Sequence, residues 1–170
     1  VSGNSARLSG VNNTGTLTIG GDSSNGVARL TFTADTTLSG SGTTQLSNST
    51  YTHLSGNSAA RTLTVAAGHT LRGAGNLGST SYGGLNVVNQ GTVIADGGLS
   101  FYGTSFINSG GLMQIADGAS FTAVSGTVSG GRIVGSTATS RIGGSGSFQG
   151  AALEGTLAWT GGTFNGVAIT

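Results

Sequence analysis

Residues 85–133 read LNVVNQGTVIADGGLSFYGTSFINSGGLMQIADGASFTAVSGTVSGGRI, and within that stretch the chain nearly repeats itself. Asn89-Gln90-Gly91 returns as Asn108-Ser109-Gly110, Ser100-Phe101 as Ser120-Phe121, and Ile94-Ala95-Asp96-Gly97 as Ile115-Ala116-Asp117-Gly118. The returns lie 19 to 21 residues apart. Short apolar runs divided by Gly, Asn and Asp, recurring at such a distance, mark a repeat architecture. A repeat this small cannot bury an apolar face alone, so its copies must stack. The expectation is an all-β chain, residues 1–170 forming one β-solenoid domain. It would hold about eight or nine coils of roughly 19–21 residues, with loop insertions.

Working outward, a second repetition links Leu30–Gly42 to Leu63–Gly75 at a constant offset of 33. It aligns Leu30 with Leu63 and Leu38 with Leu71 as core positions; Ile94, Ile115, Phe101 and Phe121 are the core positions of the cleaner stretch. The polar segment between Ser47 and Ala60 is expected to loop out of the stack. Residues 20–26 read as another loop. Beyond residue 147, Leu153, Leu157, Trp159, Phe164, Val167 and Ile169 continue an alternation suited to half-buried strands. Helix is disfavoured by Gly at 34 of 170 positions.

Two details favour parallel stacking. Asn89 and Asn108, at equivalent places in successive coils, are expected to form an amide ladder. Gly97 and Gly118, each following Ala-Asp, are expected to supply positive φ at corners, with Asp96 and Asp117 as turn residues. Between Asn and Asp the second coil holds two more residues than the first. An even insertion keeps the same face inward.

Composition narrows the function. Charged residues make up 6% of the chain and the net charge is +1. The six arginines form no run, so nucleic acid is not an expected partner. No stretch approaches the ~20 apolar residues of a membrane helix. Without cysteine or lysine there is no disulfide, thiol chemistry or Lys–Asn cross-link, so rigidity must come from stacking. The opening VSGNSARLSG carries no basic-then-apolar leader, which suits a mature or excised segment.

Little in the chain points to catalysis. Asp22, Asp35, Asp96, Asp117 and Glu154 form no paired carboxylate motif of the kind that glycoside hydrolysis needs. His53 and His69 stand apart from any nucleophile or ligand pattern, and Gly20-Gly21-Asp22 is a single copy of what calcium-binding repeats use many times. We therefore expect no enzyme, metal or cofactor. Thr-x-Thr pairs (Thr16/Thr18, Thr31/Thr33, Thr50/Thr52, Thr62/Thr64, Thr137/Thr139) raise a ligand face, with Thr31, Thr33, Thr62 and Thr64 its candidates. Such a face would order ice or bind glycans; Tyr51, Tyr82, Tyr102 and Trp159 are candidate sugar platforms. Asn12-Asn13-Thr14 and Asn48-Ser49-Thr50 match the N-glycosylation pattern.

Val88–Asp96, Ile107–Leu112 and Leu63–Leu77 resemble secreted bacterial β-helix proteins, the autotransporter passengers and filamentous-haemagglutinin-like adhesins. That resemblance covers about two-thirds of the chain. It implies a single-stranded right-handed parallel β-helix, extracellular, projecting from a bacterial cell surface as a shaft, adhesin or fibre. The chain departs from the pattern in its irregular loops at 20–29 and 47–60 and in showing no secretion domain. Neither terminal segment reads as a cap. The expected partners are therefore flanking repeats of the same chain or further copies stacked head to tail, with host or matrix glycans as a second class.

Overall fold

The computed structural model describes residues 5–21, 24, 26–47, 51–57 and 59–170. Asp22 and the Asn48-Ser49-Thr50 sequon lie outside the described residues. Every element is a strand. The first coil places Ser5–Leu8 (β1), Val11–Asn12 (β2) and Thr16–Ile19 (β3) on three successive faces, A, B and C. The second repeats the order with Ala28–Phe32 (β4), Thr36–Ser39 (β5) and Thr43–Leu46 (β6). The third begins with Thr52–Gly56 (β7) and Arg61–Val65 (β8), and passes into Thr70–Gly78 (β9). Then follow Leu85–Asn89 (β10), Thr92–Tyr102 (β11), Ser105–Ile107 (β12), Leu112–Ile115 (β13), Ser120–Ala123 (β14), Thr127–Ser129 (β15) and Arg132–Gly144 (β16). Ser147–Gln149 (β17), Ala152–Trp159 (β18), Thr163–Asn165 (β19) and Ala168–Ile169 (β20) complete the chain. The long strands β9, β11, β16 and β18 each bend from face C into face A.

Faces A and C form one 12-stranded sheet and face B an eight-stranded sheet. Consecutive coils pair in parallel, as in β10 with β8 and β13 with β16. The fold is thus a β-solenoid, of about seven turns rather than eight or nine. Coil length explains the smaller count. On face C, Thr16, Thr43 and Thr70 stack at steps of 27 residues, Thr92, Leu112 and Arg132 at steps of 20, and Ala152 and Ala168 at 16.

Alternate side chains point inward and stack coil on coil, because a strand's side chains alternate faces. Leu71, Val93, Met113, Ile133, Leu153 and Ile169 form one column on face C. Leu63, Val87, Phe106, Val128, Phe148 and Phe164 form another on face B. A third column runs Val11, Leu38, Val65 and then changes to Asn89. Asn89 and Asn108 are fully buried, and Asn89 Nδ2 donates to Asn108 Oδ1 at 2.7 Å. Asn89 Nδ2 also donates to the Leu112 carbonyl, and Asn108 Nδ2 to that of Arg132. The ladder thereby ties three coils.

The register differs from the sequence alignment in several places. Leu30, Leu38, Leu63, Leu71, Ile115, Phe101 and Phe121 are buried, but Ile94 is only half-buried and lies outside the core, which takes Val93 and Ala95 instead. Ile115 stacks on Ala95, while Ile94 faces Gln114. Matching the two Ile-Ala-Asp-Gly runs had shifted the pairing by one residue, enough to turn a strand inside out. Phe121 likewise stacks on Leu99, not Phe101. The extra residues of the second coil lie at two corners: the pairing offset passes from 19 at Val87 to 20 at Thr92 and 22 at Leu99. Gly118 turns at φ 68°, whereas Gly97 has no positive φ and lies within β11. The longer corner needs a left-handed residue; the shorter one is crossed by a continuous strand.

In the N-terminal half the 33-residue repetition is not a coil. Leu30 pairs with Leu54, and Leu38 with Val65. The segment expected to loop out supplies β7, which sits between β4 and β9 on face A.

Candidate functional site

The described carboxylates occupy separate places, each with its own partner. Arg72 grips Asp96 through two hydrogen bonds of 2.7 and 3.0 Å, and Arg132 grips Glu154 through two of 2.7 and 2.6 Å. Both are cross-coil pairs with the bidentate geometry of guanidinium on carboxylate. Asp35 accepts from the Thr62 amide. Asp117 Oδ1 accepts from the hydroxyls of Thr137 and Thr139, which hold its carboxyl below the usual range. No group of three His, Asp or Glu able to hold a metal occurs among the described residues.

The threonine candidates are not brought together. Thr31 and Thr33 belong to face A and the corner after it, Thr62 and Thr64 to face B, Thr16 and Thr18 to face C. Thr31 is only 5% exposed, so it adds no hydroxyl to a flat, open ice-ordering face. Thr64 stacks on Thr37, but the next rungs of that column carry Val88 and Ile107. The column through Ser105, Thr127, Ser147 and Thr163 is hydroxylic throughout, with Thr127 and Ser147 oxygens 2.9 Å apart. It is one hydroxyl wide.

Inside the solenoid His69 is 1% exposed, its Nε2 3.0 Å from Thr44 Oγ1. Burial lowers its pKa, against an opposing effect of the Gly40 and Ser39 carbonyls; its Nδ1 has no aligned hydrogen-bond partner. This histidine is a buried residue of the interior.

What the solenoid does expose is its two ends. The last described rung has one inward residue on each face: Trp159 above Ile142, Phe164 above Phe148, and Ile169 above Leu153. Phe164 lies stacked on Phe148 at 4.8 Å, and Trp159 packs edge-on to Phe164 at 5.3 Å. Within residues 5–170, Trp159 is 66% and Ile169 85% exposed, around a hollow of about 140 Å³. No family model, curated protein or solved structure matches the chain. The geometry of the ends therefore carries the functional reading.

At the opposite end the inward residues of the first described rung are Leu8, Val11, Leu17 and Ile19, the half-buried fringe of the core. Leu8, Leu17 and Ile19 line a larger hollow of about 450 Å³ with Ala6, Ala28 and Leu30. Each end is a three-sided apolar floor bordered by strand edges, the arrangement that accepts another strand in register. Alternating residues reveal the inward positions from sequence; which of them fall on the first and last described rungs depends on coil count, which the irregular spacing hid.

Proposed function

We propose that this chain is a structural module of an extracellular shaft or fibre, whose end rungs each accept a further rung. That rung comes from neighbouring coils of a longer chain or from another copy. The observation that carries the reading is the pairing of inward residues at one end, exposed Trp159 and Ile169 with half-buried Phe164, with the apolar hollow under Leu8, Leu17 and Ile19 at the other. Covering a large apolar side chain is worth about 1.5–3 kcal/mol. Contacts between unlike ends that add rung on rung along one axis do not close on themselves, so they propagate as filaments. A chain with only 6% charged residues and many Ser and Thr suits a passive stalk.

The test is self-association of the purified 170-residue chain, followed by sedimentation velocity and electron microscopy. Expected are end-to-end rods with an axial repeat near ~4.8 Å, suppressed in the double variant Trp159→Asp/Ile169→Asp with its strand signal unchanged. A parent chain that stays monomeric at millimolar concentration, with Trp159 fluorescence open to a soluble quencher, would overturn stacking between copies and assign the covering rung to neighbouring coils of a longer chain.

A further inference from the structure

The outward side of face A in the first coils carries a second feature. Arg29, His53, Asn76 and Ser100 form one column, and Arg7, Thr31 and Ser55 lie beside it. The loop of residues 79–84 between β9 and β10 folds back across these rungs, pinned by the Ser79 amide donating to the Gly83 carbonyl at 3.2 Å. It lays the Tyr82 ring over the Arg29 guanidinium, 4.4 Å from carbon to centroid, and edge-on to His53 at 5.5 Å.

Beneath this cover, polar groups are left without partners. Arg29 Nε, His53 Nδ1, Thr31 Oγ1 and Ser55 Oγ are buried and make no hydrogen bond. Thr31 is 5% exposed and Ser55 fully buried. Folded proteins leave few such atoms unpaired, and a concentration of them calls for a missing partner. Its chemistry follows from what is offered. Arg29 Nε can only donate, the two hydroxyls can donate, and His53 donates from Nδ1 whenever that nitrogen carries the proton. Among the described residues, no carboxylate pairs with Arg7 or Arg29. The complement is small, negative and rich in acceptors.

We propose that this patch is an oxyanion site closed by Tyr82, taking a sulfate or phosphate group either free or borne on a saccharide. Gly78 at φ 86° and Gly83 at φ 103° bracket the loop and let it swing without side-chain strain. The anion lies against Arg29 and the Thr31 and Ser55 hydroxyls, and Tyr82 closes over it. The site rests on these buried polar groups and not on the proposed stacking, although Arg29 also borders the hollow at the first described rung.

The test is calorimetric titration with sodium sulfate, sodium phosphate, a sulfated disaccharide and its unsulfated parent, with ionic strength held constant by chloride. One-to-one binding is expected, with no heat from the unsulfated sugar. Arg29→Gln should weaken it at least tenfold and Ser55→Ala severalfold, while Arg141→Gln, on the same face several coils away, leaves it unchanged. Preference for the sulfated disaccharide over sulfate assigns the group to a saccharide; equal affinity assigns a free ion. Amide shifts of Thr31, Ser55 and Tyr82 that saturate together provide a second readout should one variant fold poorly. Absence of binding by all three anions, or equal weakening by Arg29→Gln and Arg141→Gln, would overturn the proposal.

Discussion

Replacing Asn108 by alanine tests the internal amide ladder most directly. The side chain is fully buried, accepts from Asn89 at 2.7 Å and donates to the Arg132 carbonyl at 3.0 Å. Each such bond contributes about 1 kcal/mol net, and a carbonyl left buried without a donor costs about 1–3 kcal/mol. Asn89 keeps its bond to the Leu112 carbonyl, so its amide nitrogen is not stranded. The expected loss is about 2–4 kcal/mol. In a stacked array the damage stays with neighbouring coils. Urea unfolding followed by circular dichroism measures the total, and hydrogen exchange should show protection falling over residues 85–115 well before the other coils. The cycle completed by Asn89→Ala and the double variant should give a coupling of about 1 kcal/mol. Loss below about 0.5 kcal/mol, or a coupling indistinguishable from zero, would show that the ladder does not hold these coils together.

Other expectations follow from register and burial. Ile115→Thr should cost about 2–4 kcal/mol and Ile94→Thr under about 1 kcal/mol, measured by the same urea midpoints; equal losses would restore the sequence alignment. Gly131→Ala should be strongly destabilising, because the residue sits at φ 68° and an added Cβ would lie 2.0 Å from the Asn108 carbonyl oxygen. Thermal unfolding of that variant against Gly110→Ala, which shares a positive φ but has open space around it, separates clash from backbone strain. Acidification provides a fourth test. His69 has its folded pKa below the ordinary 6.5 through burial, and His53 through burial and then the charge of Arg29. The unfolded chain takes up these protons first, so stability is full above pH 6.5 and falls as pH drops from there towards the folded values. Urea midpoints at pH 7.5 and 5.5 should differ, and His69→Asn should flatten the difference.

How much of this was legible in the chain depended on what kind of signal carried it. Asn89 and Asn108 could be placed on neighbouring rungs because no insertion intervenes between their strands and the preceding Val87 and Phe106. Ile94 could not, because residue identity favoured one offset and hydrogen bonding another. The matching Asp-Gly pairs lie at corners, where length is free to vary. Thr52–Gly56 reads as a loop in sequence because its only apolar side chain is Leu54; burial of Thr52 and Ser55 is a tertiary fact with no sequence pattern behind it. The patch under Tyr82 unites residues from β4, β7 and a loop whose spacings, 24 residues from Arg29 to His53, matched no repeat visible beforehand.

The variation in coil length has its own consequence, since much of it falls on one edge of the prism. Between faces C and A the chain crosses in a single residue at Ala74 but takes four at 137–140, and the strands on both sides stay parallel and paired. That edge behaves as a seam, tolerant of added length because hydrogen-bonded rungs on either side fix its two margins. Foreign peptides spliced there would be carried along the outside of the stack at a spacing set by the rungs, leaving the interior columns undisturbed.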